Sequence, residues 1–222
     1  ELNVAFGILA NLADDLRNLQ RTEIDELREL FTSDQVGSST MPQKRNPWNS
    51  EHVKSLWKAF SPRVQTFFMD QISEHQRDLT NSASGRFVVE FVAGFVAAVT
   101  RMTKVVSTLH VDKQQMKANV SLTGELVLAE AAYTLLATTG RADAHEDLRA
   151  ATITSRERGI GLIEVLKESS ELWDALARAL ESVGQTPQAF FSDSANYTGR
   201  ASERAVALAD EYDERMSKLE EQ

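Results

Sequence analysis

Three observations predict an all-α protein. Apolar residues recur at three- and four-residue spacings along most of the chain. No segment keeps the strict apolar–polar alternation of a half-buried strand. Only four prolines and ten glycines interrupt 222 residues rich in Ala, Leu, Glu, Arg and Val, which suit helices. A hydrophobic fraction of 42% over this length is enough for a sizeable core, since a domain of this size buries roughly 70% of its unfolded surface.

The first element is a helix over about residues 1–30, with Leu2, Phe6, Leu9, Leu12, Leu16 and Leu19 on one face and Asp14, Asp15, Arg17 and Glu23 on the other. Its apolar period is already running at Glu1 without a capping residue, as in a chain that begins inside a helix. The segment has neither the basic start nor the small-residue cleavage site of a signal peptide. Gly37, Pro42 and Pro47 then end the regularity. Asn46-Pro47 reads as a helix N-cap followed by proline at the first helical position, predicting a helix to about Phe60. Ser61-Pro62 marks a break, after which Val64, Phe67, Phe68 and Ile72 continue a helical face to about residue 77.

The strongest helical pattern follows. Val88, Val92, Phe95, Val99, Met102, Val106 and Leu109 alternate four- and three-residue steps as a heptad seam, and Val89, Phe91, Val96 and Val105 widen it. A helix so broadly apolar is predicted to be enclosed by several neighbours, as the central rod of a bundle within an oligomer. Beyond it the pattern predicts helices over 111–119, 122–138 (closed by Gly140), 142–155, 160–168, 170–183 and 202–219, with 184–199 irregular. The predicted division is 1–110 and 111–222.

Composition excludes some classes of function. The net charge of −9 argues against non-specific nucleic-acid binding, which depends on many exposed cations. The apolar run 87–99 is broken by Glu90 and Gly94 and is shorter than the ~20 residues a membrane helix needs, so no membrane association is expected. With no cysteine there is neither a disulfide frame nor a thiolate metal site, which fits a reducing, cytoplasmic setting.

Chemistry concentrates in residues 37–47, Gly-Ser-Ser-Thr-Met-Pro-Gln-Lys-Arg-Asn-Pro. Gly37 permits backbone angles through which the Ser38 and Ser39 amides and hydroxyls can converge on an anion, and Lys44 and Arg45 add charge just before a helix N-terminus. A carboxylate is the natural guest, although a Ser/Pro/Lys mixture is ordinarily a solvated turn. A second constellation, residues 76–86 (Gln-Arg-Asp-Leu-Thr-Asn-Ser-Ala-Ser-Gly-Arg), precedes the central helix. Asn81 or Ser82 can cap that helix, and Arg86 would lie one turn inside it, so the group can cradle a phosphate or merely cap with two surface arginines.

Residues 37–47 closely resemble the signature loop of the fumarase/aspartase superfamily, lyases that release fumarate by β-elimination. The resemblance implies a long-helix bundle with a small helical C-terminal domain and a loop that closes over substrate. It assigns Ser38 as the base, with Ser39, Lys44 and Asn46 binding substrate. A serine base requires an alkoxide stabilised by amides, cations or a helix end.

Residues 77–82 are similar to the pattern that holds a nucleotide phosphate in adenylosuccinate lyases, which assigns Arg77, Ser82 and Arg86 to that phosphate. The stretch 19–24 (Leu-Gln-Arg-Thr-Glu-Ile) resembles the lead into the loop in the same family, though by itself it reads as a charged helix surface. Residues 196–201 are similar to the element closing the third domain. A small-molecule nucleotide substrate, a homotetramer with sites shared between subunits, and no metal or organic cofactor are implied.

The loop's Met-Pro-Gln-Lys form is also similar to argininosuccinate lyase, and residues 196–201 also match carboxymuconate cycloisomerase. Both substrates therefore stay open, as does an inactive scaffold relative. The family's general acid is a histidine. His52, His75, His110 and His145 sit in no motif for it and read as surface or packing residues, so the acid is expected in a region preceding Glu1.

Overall fold

The computed structural model describes residues 1–32, 40–41, 43–76, 78–194 and 197–221. It is an all-α chain whose contacts divide into two units, Glu1–Lys117 and Ala118–Gln222.

In the first unit α1 (Leu2–Leu19), α2 (Trp48–Phe60) and α4 (Arg86–Ser107) pack together. Phe6, Ala10, Ala13 and Leu16 give α1 its buried face, and Phe6 meets Phe91 and Phe95 edge-on at 6.2 and 5.6 Å. Helix α1 ends at Leu19, short of the expected residue 30. Asp25 takes φ 52°, a turn conformation that Asp tolerates, and the chain reverses into β1 (Leu27–Arg28), which pairs antiparallel with β2 (His110–Val111). The short pairing buries Leu27 and competes successfully with further helix.

Ser61–Arg63 forms the expected break as a 3₁₀ turn, and α3 (Val64–Met69) follows. That helix stops eight residues before the expected end, leaving Phe68, Met69 and Ile72 exposed.

The heptad expectation for α4 is corrected by one residue in phase. Phe91, Gly94, Ala98, Met102 and Val105 are the buried face against α1 and α2. Val88, Val92, Val99 and Val106 of the predicted seam, with Val89 and Val96 of the second set, are exposed. At Gly94 the α2–α4 approach is so close that an added Cβ would lie 2.4 Å from the Phe60 ring.

Helix α5 (Lys113–Thr123) crosses from the first unit into the second. The single helix expected over 122–138 is instead a 3₁₀ turn, Gly124–Leu128, and α6 (Ala129–Thr138), because Gly124 adopts φ 59°. Over Lys113–Thr138 an 18-residue window reaches a mean hydropathy of 1.3, enough by length and composition alone to cross a bilayer. That window lies beyond residues 87–99, the apolar run on which the membrane expectation rested. This stretch is bent at Gly124, and Leu128, Ala131, Ala132 and Leu136 pack into the second unit's core, which accounts for its apolarity.

That core is completed by α7 (Ala144–Arg158), α8 (Leu162–Glu168), α9 (Ser170–Glu181) and α10 (Pro187–Ser192). Helix α10 lies within the segment expected to be irregular. The Thr186 hydroxyl accepts from the Ala189 N–H at 3.2 Å, Pro187 occupies the first turn, and Phe190 and Phe191 are buried edge-on to each other. Helix α11 (Ala201–Glu220) buries none of its residues.

Candidate active-site cleft

A cleft of about 1240 Å³ opens in the first unit between the end of α1, the start of α2 and the segments joining them. Its wall includes Gln20, Arg21 and Thr22 from the turn after α1, Arg28 and Glu29 from the reversal, and Lys44, Asn46 and Glu51 near α2. The stretch resembling a lead into the loop is therefore a cleft wall, a role that its charged-surface reading missed.

The local sequence explains how each group is carried. After Leu19 the Ile24 and Asp25 amides turn back onto the Arg21 carbonyl, so residues 20–22 face the opening. Nearer α2 in sequence the Lys44 N–H donates to the Met41 carbonyl at 3.0 Å, and the Arg45 guanidinium lies 4.0 Å from the centre of the Phe31 ring. Helix α2 starts at Trp48 with Pro47 in the cap position, one residue later than expected.

The capping is done from a distance. Glu29 accepts from the Asn49 N–H at 3.1 Å and Nδ2 at 2.9 Å on one oxygen, and from the Ser50 N–H at 2.8 Å and Oγ at 2.5 Å on the other. A carboxylate of the protein itself thus occupies the helix N-terminus that sequence reasoning offered to substrate. No local signal could have revealed it, because Glu29 lies twenty positions before Asn49.

The charges of the cleft sort by commitment. Arg17 pairs with Asp14 at 2.7 Å, and Arg28 pairs with Asp25 at 2.6 Å. The Arg28 guanidinium holds the Asp25 carboxyl below the usual carboxylate range, against the opposing effect of burial. Arg21 and Lys44 have no ion pair among the described residues, so they are the cations available to an anionic guest. Gln20, whose Oε1 accepts from the Glu29 N–H at 2.8 Å, and Asn46 add polar groups.

The predicted residues separate into three sets. Ser38, Ser39 and Arg77 lie outside the described residues. Lys44 and Asn46 share the cleft. Ser82 and Arg86 do not. Asn49 at the start of α2 accepts from Arg101 near the end of α4 at 2.9 Å, while Arg63 just past α2 pairs with Glu90 near the start of α4 at 3.0 Å. The two helices run antiparallel, and thirteen residues of α2 span about 20 Å. Lys44 and Asn46 stand at one end of this pair, Ser82 and Arg86 at the other.

Around Ser82 the cap expectation is also corrected. Helix α4 begins at Arg86 with Gly85 in the cap position, so Arg86 opens the helix and neither Asn81 nor Ser82 caps it. The Asn81 amide instead donates to the Asp70 carbonyl at 3.0 Å, and the Ser84 hydroxyl donates to the Asp70 carboxylate at 2.6 Å. These bonds fold residues 80–85 into turns that leave Ser82 and Arg86 exposed.

Of the histidines, His52 meets Trp48 and His145 meets Tyr133 edge-on at 5.6 and 5.2 Å. None of the four lines the cleft. Among the described residues no group of three or more acidic or histidine side chains is placed to hold a metal ion.

Comparison with known proteins places this arrangement. Residues 73–190 match the family described as adenylosuccinate lyase C-terminal, and residues 2–59 match the family described as lyase. The adenylosuccinate lyase of Pyrococcus horikoshii is 36% identical over 226 residues, covering 98% of this chain and 48% of that protein. The adenylosuccinate lyase of Archaeoglobus fulgidus is 37% identical over 164 residues, covering 72% and 37%. The chain therefore spans about half the length, or less, of these curated relatives.

Among solved structures, the 3-carboxy-cis,cis-muconate lactonizing enzyme of Pseudomonas putida superposes with a TM-score of 0.68 at 27% identity, covering 90% of this chain and 44% of the other. A fumarate lyase from Mesorhizobium sp. BNC1 shares the fold, with a TM-score of 0.65 at 22% identity over 85% and 43%. With one family match covering more than half of its residues, the chain belongs to the adenylosuccinate lyase family.

Proposed function

We propose that the whole protein eliminates fumarate from adenylosuccinate to leave AMP, and performs the same cleavage on the succinylated aminoimidazole carboxamide ribotide of purine synthesis. The observation that carries this reading is the cleft that gathers Lys44 and Asn46 with Gln20 and Arg21, in a chain 36% identical to an adenylosuccinate lyase. Uncommitted cations suit the two carboxylates of a succinyl group, and they stabilise the transition state most because carbanion formation adds charge there.

In this reading Ser38 removes the proton beside a carboxylate, Ser39, Lys44 and Asn46 hold the succinyl group, and a histidine contributed by another part of the protein protonates the leaving nitrogen. Arg77, Ser82 and Arg86 hold the nucleotide phosphate through charge-assisted hydrogen bonds.

The separation of Lys44 from Arg86 by the length of α2 supports sites shared between subunits, and the exposed valines of α4 supply an apolar face for a homotetramer. Residues 1–110 would then be the end of the central bundle domain and 111–222 the small third domain. A cytoplasmic location fits the cysteine-free chain.

The likeness to a muconate lactonizing enzyme favours a second reading, in which the substrate is a cyclising tricarboxylate without a phosphate. Full-length protein assayed for fumarate release from adenylosuccinate tests the first reading. Ser38→Ala should lower turnover by at least about a hundredfold with substrate still bound, and Arg86→Ala should raise KM for adenylosuccinate about tenfold or more. Wild-type turnover in Ser38→Ala would reject the base assignment, and an unchanged KM in Arg86→Ala would favour a substrate without phosphate.

A further inference from the structure

We infer that Glu29 is a positioning residue for the cleft, whose carboxylate sets the register of the loop's end, with Lys44 and Asn46, against the end of α1. This inference rests on the proposed lyase reading, and its physical basis is local to this chain. Glu29 is clamped from behind, because its N–H is held by Gln20 and the preceding Leu27–Arg28 is paired to His110–Val111. In front, its two oxygens take all four donors of Asn49 and Ser50.

Ser50 is 0% exposed, so its amide and hydroxyl have no water to fall back on if the carboxylate is lost. Lys44 and Asn46 precede Trp48, the first residue of α2, by four and two positions. Any slip of the helix start is therefore passed to both. The same carboxylate neutralises the positive end of the helix, leaving Lys44 and Arg21 as the cleft's uncommitted attraction for an anion.

Replacement by glutamine separates these roles with little change of volume. One amide oxygen can still accept from one pair of donors, while the amide nitrogen faces the other pair without accepting. Full-length Glu29→Gln should lose about tenfold or more in kcat, since misplacement of about 1 Å costs up to ~100-fold, with KM within about threefold. Hydrogen exchange should quicken about tenfold at the Asn49 or Ser50 amide and across residues 43–48, and stay unchanged in α4. Gly94→Ala, a packing lesion remote from the loop, should keep wild-type kcat below its melting transition.

Wild-type kcat in Glu29→Gln, unaltered exchange at Asn49 and Ser50, or an equal kcat loss in Gly94→Ala would each overturn the inference. If full-length wild-type protein releases no fumarate from adenylosuccinate, the lyase reading fails separately. Exchange in this chain then decides about Glu29 alone: faster rates at residues 43–46 in Glu29→Gln sustain the positioning role, and unchanged rates overturn it.

Discussion

Lys44 and Asp14 show how differently two charged side chains can serve one fold. Lys44 is exposed at the cleft without an ion pair among the described residues, so its charge is available to a ligand. Lys44→Ala in the full-length protein should reduce kcat/KM by about a hundredfold in steady-state assays while leaving the melting temperature within about 1 °C. Asp14 is committed to structure. A hydrogen bond from Lys54 holds its carboxyl below the ordinary value of 3.8, burial opposes this, and Arg17 assists. A carboxylate with a lowered folded pKa adds stability above its unfolded value and loses it as pH falls through the folded one. Asp14→Asn should therefore cost about 1 kcal/mol at neutral pH, and urea titrations of the two proteins should converge as pH falls below the ordinary carboxylate value and through the folded one. Lys44 and Asn46 stood out in the sequence because one short motif carries both, and both line the cleft, whereas Ser82 and Arg86, drawn from a second motif, lie at the far end of the helix pair. Glu29 was not, because its partners are set by a chain reversal that no spacing rule records.

Helix packing shows the same division between what is local and what is not. Helix existence was legible almost everywhere, since the 3.6-residue period needs only a few turns to declare itself. Ends and phases were not. The valine seam of α4 looked like the inner face, yet the face that packs on α1 and α2 is the neighbouring one, because Gly94 admits the Phe60 ring where a larger residue would hold the helices apart. Gly94→Ala places a methyl against that ring and should destabilise the first unit by about 1–3 kcal/mol in urea unfolding. A change below about 0.5 kcal/mol would mean that Phe60 swings aside freely. In the second unit α10 was not expected, because residues 184–199 read as irregular; the Thr186 cap and Pro187 first turn that start it are local, but the burial of Phe190 and Phe191 behind them is set by packing in the second unit's core.

For the whole molecule, the exposed apolar face of α4 is the feature with the widest reach. Val89, Val96 and Val106 are more than half exposed in this chain, and such a face invites burial between subunits. On the proposed tetramer, Val96→Asp in the full-length protein should shift sedimentation to smaller species and lower any fumarate release, whereas unchanged sedimentation would remove α4 from the interface. The sequence read as broadly apolar here because two surfaces, one within the unit and one left open, occupy a single helix. If the proposed sharing of sites between subunits holds, Lys44 and Arg86, at opposite ends of α2, carry a genetic consequence: two separately impaired alleles should rescue each other. In mixed assemblies of Lys44→Ala and Arg86→Ala chains, random pairing gives about one site in four an intact contribution from both donors, so mixing the two impaired proteins should raise kcat/KM above that of either alone.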